Sequence, residues 1–171
     1  MAACLEKLGL DYVALYLVHW PRPDLDRYVE TWHALEQMKA DGHTCSIGVS
    51  NFHQPQLAKL IAESQTVPAV DQVELHPAFA QRELRSFSEP LGIRTEAWGP
   101  LGQGKYELFA EAPVVAAAQA HGATPAQVVI RWHLQQDIIV FPKTTSRARM
   151  AENFDVFGFE LTDAEMQALN G

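Results

Sequence analysis

Five short apolar runs, each followed by a stretch with helical spacing, constrain the fold of this chain more than any other feature of its 171 residues. Tyr12–Val18 is apolar throughout and of strand length, and it stops at His19-Trp20-Pro21, where proline cannot continue a ladder. Tyr28, Trp32, Leu35 and Met38 then recur at helical spacing, and that pattern closes at Gly42. Cys45–Val49 reads as a short second strand, and Leu57, Leu60 and Ile61 mark the helix after it. Val70–Leu75 is a third strand, stopped by His76-Pro77, with a helix through Leu84 and Phe87 that ends near Gly92. Ile93–Trp98 is a fourth, followed by a glycine-rich loop from Gly99 to Gly104. Two helical stretches come next. The second opens with Thr124-Pro125-Ala126-Gln127, a capping box with proline at the first helical position. Ile138–Phe141 is the fifth strand, closed by Pro142, and a helix is expected from Ser146 onward. Thr162-Asp163-Ala164-Glu165 caps a last short helix that runs out at Gly171.

Strands that are apolar throughout and separated by helices imply a parallel sheet covered by helices. An open doubly wound sheet and part of a (βα) barrel both satisfy the pattern. A full eight-stranded barrel takes about 250 residues, roughly 30 per βα unit. Five units therefore match the 171 residues present.

Composition narrows the partners. Thirteen Lys+Arg against 21 Asp+Glu leave a net charge of −8. That excess of acid argues against nucleic acid and anionic membranes. No run approaches the roughly 20 apolar residues of a bilayer span. The N-terminus, Met1 to Lys7, has neither the basic region nor the apolar stretch of a signal peptide. Cys4 and Cys45 form no CxxC, so neither a disulfide framework nor a zinc knuckle is expected, and a reducing cytoplasm is the expected compartment.

The polar residues that interrupt the pattern fall at carboxyl ends of strands: His19, Ser50 with Asn51, Gln72, Trp98 and Lys143. In parallel α/β folds that rim binds ligands. Lys143, Arg147 and Arg149 also crowd three positive charges into seven residues of an acidic chain, with Ser146 placed to cap the helix they open. A helix N-terminus offers unpaired backbone N–H groups and a positive dipole end, the chemistry of a phosphate site. A solvated basic turn is the plainer account of the same charges.

Four runs in this order and spacing resemble the signatures of the aldo-keto reductases: Leu17 to Pro21, Ile47 to Phe52, Asp71 to Pro77, and Pro142-Lys143 through Glu152-Asn153. The resemblance covers essentially the whole chain. The stretch Ala97 to Gly104 is similar to the bacterial 2,5-diketo-D-gluconate reductase branch. The resemblance implies an α/β fold, a partial (β/α)8 TIM barrel of about five βα units, in one domain over residues 1–171. It implies an NADPH-dependent reductase acting on a small-molecule carbonyl, an aldehyde, ketone or keto-sugar acid. By resemblance, His19 orients the substrate carbonyl as the catalytic residue, with Trp20 beside it at the substrate. Ser50, Asn51 and Gln72 hold the nicotinamide carboxamide, a task suited to amides that donate and accept at once. Trp98 stacks on the nicotinamide ring, and Gly99, Pro100, Leu101 and Gly102 form the loop at the pyrophosphate. Lys143, Thr144, Thr145 and Arg149 bind the 2′-phosphoadenosine, and Glu152 and Asn153 contact the adenine. Cations at the 2′-phosphate favour NADPH over NADH. Simpler readings exist for two of these residues: a buried histidine satisfied by backbone for His19, and core packing for Trp98.

The family's proton donor, a tyrosine tuned by a lysine and an aspartate, precedes the histidine strand. Here Lys7, Asp11, Tyr12 and Tyr16 are the candidates, and none matches those motifs. The chain is therefore expected to be the later five-eighths of a reductase, cut at both ends, with sheet edges that favour self-association. An inactive half barrel that still binds NADPH is the alternative. A metal-dependent enzyme using Gln72, Glu74, His76 and His19 is a third reading, without an H-x-H or H-E-x-x-H pairing to support it. A serine hydrolase fails because Gly48-Val49-Ser50-Asn51-Phe52 lacks the second glycine of a nucleophile elbow.

Overall fold

The computed structural model describes residues 2–170, so the expected helix end at Gly171 lies outside the described residues. Five strands alternate with helices as the pattern requires. In chain order they are α1 (Ala2–Leu8), β1 (Val13–Val18), α2 (Tyr28–Ala40), β2 (Thr44–Ser50), α3 (Gln54–Ala62), β3 (Val70–Glu74), α4 (Arg82–Ser88) and β4 (Arg94–Trp98). Then follow α5 (Ala112–His121), α6 (Pro125–Leu134), β5 (Ile139–Val140), α7 (Arg147–Phe154) and α8 (Asp163–Asn170). The strands form one sheet in the order β1-β2-β3-β4-β5, so each neighbours its successor along the chain.

Two details depart from the sequence reading. The N-terminal segment is helical: it is built of good helix formers, buries Leu5 and ends at Gly9, whose φ of 64° closes the last turn. The fifth strand shrinks to two residues. Ile138 spends its N–H on the His133 carbonyl (3.1 Å), closing α6 rather than opening a ladder, and Pro142 has no N–H to offer.

The chain divides into two compact units. The first runs to Val73 and includes Arg82–Thr95. In it β1 pairs in parallel with β2 from Val13↔Thr44 to Val18↔Val49, and β2 pairs with β3 through Val49↔Asp71 and Ser50↔Gln72. Gly48 sits opposite Leu17, and a Cβ there would fall 2.6 Å from Val70 Cγ2 and 2.9 Å from the Val70 carbonyl oxygen. Glycine is thus the residue that lets the three strands approach. Trp32, Leu35, Leu57 and Leu60 pack as the buried helix faces, and Trp32 Nε1–H donates to the Thr66 carbonyl at 3.1 Å.

The second unit holds Glu74–Gln81 and Glu96–Gly171. Here β4 pairs in parallel with β5 through Glu96↔Ile139 and Ala97↔Val140. The expected capping box forms: Thr124 Oγ1 accepts from the Gln127 N–H (3.3 Å), and Gln127 Oε1 accepts from the Thr124 N–H (2.8 Å). Thr162 and Glu165 make the same reciprocal pair at α8. The core of this unit centres on Val128, Val129, Trp132 and His133 of α6. His133 is fully buried, with Nδ1 2.7 Å from the Val129 carbonyl and Nε2 3.0 Å from that of Leu75.

Candidate functional site

In the first unit the carboxyl ends of β1, β2 and β3 are tied together by polar side chains. The chain leaves β2 through Asn51, whose φ of 63° lies in the left-handed region that asparagine tolerates better than most residues. The Asn51 N–H donates to the Gln72 carbonyl at 2.9 Å, and the Ser50 hydroxyl donates to the same oxygen at 2.7 Å. Asn51 Nδ2 donates to the His19 carbonyl at 3.0 Å and to Ser50 Oγ at 3.1 Å. Ser50, Asn51, Gln72 and the backbone of His19 therefore converge. Ser50 and Asn51 are buried, while the His19 side chain is exposed at the end of β1 beside an exposed Trp20. A buried histidine satisfied by backbone is thus not what the structure shows.

Next to Gln72 lies a residue that carried no role in the sequence reading. Asp71 is only 2% exposed, and neither carboxylate oxygen accepts a well-formed hydrogen bond. Burial raises its pKa from 3.8 to about 7, making it a weaker acid than an exposed carboxyl. A carboxylate at a strand position whose neighbours Val70 and Val73 are buried was the available signal.

In the second unit Trp98 ends β4 half-buried, its carbonyl accepting from the Leu75 N–H at 3.3 Å. The loop after it turns tightly, with Gly102 N–H donating to the Gly99 carbonyl at 2.8 Å. Gly102 has φ of 74°, and a Cβ there would lie 2.9 Å from Leu108 Cδ1, so both conformation and packing demand glycine. Pro100 is buried against this turn, and Gly99 and Leu101 are half-buried.

After β5, Thr144 Oγ1 accepts from the Ser146 N–H (3.1 Å), and Ser146 Oγ accepts from the Arg149 N–H (3.4 Å). Ser146 is thus the N-cap of α7, as its position suggested. Lys143, Thr145, Arg147 and Arg149 are exposed around that helix start. Glu152 is engaged by α6: its Oε1 accepts from the Thr124 hydroxyl at 2.7 Å. Asn153 lines a groove of about 320 Å³ with Ile130, Leu134, Val140 and Phe154.

The same unit buries His76 completely. Its Nε2 lies 3.6 Å from Glu74 Oε1, and its ring packs 4.3 Å from that of Tyr106. Burial lowers the His76 pKa, with Glu74 opposing. Among the described residues no group of three or more His, Cys, Asp and Glu side chains is arranged to hold a metal ion. Among the same residues, no helix is long and apolar enough to cross a membrane.

Known proteins are similar to this chain in sequence and fold. The profile described as "Aldo/keto reductase family" matches residues 1–171. An aldo-keto reductase of Mycobacterium sp. (strain MCS) is 49% identical over 169 residues, covering 99% of this chain and 59% of the relative. Methylglyoxal reductase DkgA of Escherichia coli (strain K12) is 44% identical over 162 residues, covering 95% of this chain and 59% of that protein. The crystal structure of a Gox0644 mutant in complex with NADPH superimposes with a TM-score of 0.95 at 47% identity, over 99% of this chain and 62% of that one. The chain thus spans about 60% of the length of the curated relatives it matches. With the family profile matched along the whole chain and the fold shared with its solved relatives, this chain belongs to the aldo/keto reductase family.

Proposed function

We propose that this chain carries the cofactor-holding and carbonyl-orienting residues of an NADPH-dependent reductase that converts a small-molecule carbonyl to an alcohol. The convergence of Ser50 and Asn51, at the end of β2, on the Gln72 backbone of β3 and the His19 backbone after β1 carries this reading. It supports a polar clamp of the kind a carboxamide needs, because hydroxyl and amide groups there are already oriented by hydrogen bonds and buried from water. Trp98 offers a half-buried aromatic face for a planar ring, and the Gly99–Gly102 turn brings backbone close to a pyrophosphate. Lys143, Thr144, Thr145 and Arg149, at the Ser146-capped start of α7, fit a phosphate group by charge and by backbone N–H supply. Asn153 fits the adenine, while Glu152 reaches it only after sharing its carboxylate with Thr124.

Bound NADPH would supply a hydride for the carbonyl carbon. The residues of this chain orient the partners: the exposed His19 imidazole donates to the carbonyl oxygen, with Trp20 as an apolar wall beside it. The proton that completes the alcohol needs an acid of suitable strength. Tyr16 is a poor one, because its hydroxyl interacts with Cys4 and burial adds to that effect, raising its pKa. Tyr28 is likewise a weaker acid, desolvated against Phe52. This observation favours a second reading, NADPH binding without turnover by this chain alone.

Titration with NADPH, followed by tryptophan quenching, tests both. Saturable binding weakened by Ser50→Ala and by Lys143→Ala supports the cofactor reading, and absent binding removes it. Consumption of NADPH with an aldehyde would then remove the second reading.

A further inference from the structure

We propose that Thr124, at the start of α6, is a positioning residue for the adenine end of the cofactor: its hydroxyl fixes the Glu152 carboxylate so that one oxygen is left for the exocyclic amino group of the base. This rests on the reading of Glu152 and Asn153 as adenine contacts and of Arg149 as a phosphate contact. All three ride on α7, and no residue of that helix is buried. A helix with no buried side chain takes little of its placement from core packing, so its polar ties decide where it lies. Ser146 caps its start, and at its end the capping box of α6 reaches across. Gln127 Nε2 donates to the Asp155 carbonyl at 2.7 Å and to the Glu152 carbonyl at 3.3 Å, where the helix ends. Thr124 Oγ1 donates to Glu152 Oε1 at 2.7 Å. The two side chains that start α6 thus hold both the backbone of the last turn of α7 and the carboxylate that it presents.

A threonine hydroxyl has one proton and two lone pairs. A lone pair accepts the Gln127 N–H at 3.3 Å, which caps α6, and the proton goes to Glu152, whose carboxylate can only accept. Cap and tie therefore use different parts of one group, and substitution can separate them. The tie takes Oε1 and leaves Oε2 for a donor from outside. Adenine presents such a donor in its exocyclic amino group, and a base with an oxygen at that place does not. A glutamate has several rotatable bonds, so a carboxylate already held by Thr124 spares the complex the cost of ordering it. Thr124 acts through Glu152, on recognition of the base and not on the reacting carbonyl.

The test compares Thr124→Asn with Thr124→Asp. Both side chains cap helices about equally well and are nearly the same shape, but only asparagine has an N–H for Glu152. Without ligand, the Glu152 side-chain carboxyl carbon resonance should stay closer to its wild-type position in Thr124→Asn than in Thr124→Asp. Equal displacement in the two overturns the tie. With ligand, NADPH affinity is measured beside that of its deaminated analogue, which carries oxygen in place of the adenine amino group. Wild type should bind NADPH the more tightly, Thr124→Asn should keep that ratio, and Thr124→Asp should lower it about three- to tenfold. Loss of the cap alone weakens both dinucleotides together, so an unchanged ratio in Thr124→Asp overturns the positioning role. Equal affinity of wild type for the two dinucleotides overturns it as well. If Thr124→Asp does not fold, Thr124→Gly, which an N-cap tolerates and which has no side-chain donor, makes the same comparison. Failure of wild type to bind either dinucleotide, with the Glu152 resonance behaving as expected, overturns the cofactor reading and with it the role in recognition, and leaves only the tie.

Discussion

Asp71 shows what a single residue costs and returns. Its folded pKa of about 7 lies above the 3.8 of the exposed group, so the native state binds more protons between those values. Stability therefore falls as pH rises from about 4 to 7, and the full penalty is present above 7. The shift bounds that penalty at about 4 kcal/mol. Asp71→Asn keeps a buried polar group and so recovers only part of it, about 1–2 kcal/mol at pH 8 and close to none at about pH 4. Thermal melts at the two pH values check this, and an equal change at both would refute it. Asn51 is the complementary case. Asn51→Ala meets the left-handed backbone penalty of about 1–2 kcal/mol, whereas Asn51→Gly avoids it. Both variants lose the ties to His19 and Ser50, so both should weaken NADPH binding while their melting temperatures differ.

Among the elements, β2 is held by a contact its sequence does not display. The added methyl of Gly48→Ala would meet Val70 and Leu17 across two ladders, including a backbone oxygen that cannot rotate away. Overpacking of this kind costs about 1–3 kcal/mol, measurable by denaturant unfolding with an unchanged m-value. The caps were more legible. Thr124, Ser146 and Thr162 stand where short polar residues precede helical patterns, and each does accept the expected backbone N–H. Thr124→Val should cost about 1 kcal/mol for the lost cap. It should also release Glu152, which a double variant with Glu152→Gln would show as non-additive loss. Strand positions were legible because apolar runs are. Strand length was less so: β5 is short because the turn after α6 takes the Ile138 N–H, a bond that depends on where His133 ends its helix.

For the whole molecule, the outer edge of β1 carries no strand partner among the described residues. Leu10 and Tyr12 stand exposed beside it. A main-chain edge with apolar flanks is a template for another strand. Sedimentation of this chain should therefore show mass rising with concentration, and Tyr12→Lys, which places a charge on the edge, should return it to monomer; a monomer at all concentrations would refute this. A solved relative shares this fold over nearly the whole of this chain while being longer itself.

The sequence by itself determined the alternation of strands and helices, the helix starts and the strand-end positions of His19, Ser50, Asn51 and Trp98, whereas Gln72, expected at a strand end, lies in the middle of β3 and Lys143 three residues beyond β5. Those properties are local, set by side-chain period, capping chemistry and the missing N–H of proline. Only the tertiary structure decided that Asn51 ties β2 to both neighbouring strands, that Glu152 answers to Thr124, that Gly48 lets two ladders close and that burial makes Asp71 an acid near neutrality. Each of these depends on groups distant in the chain, because a hydrogen bond, a close approach or a desolvation is a property of what surrounds the residue rather than of the residue itself.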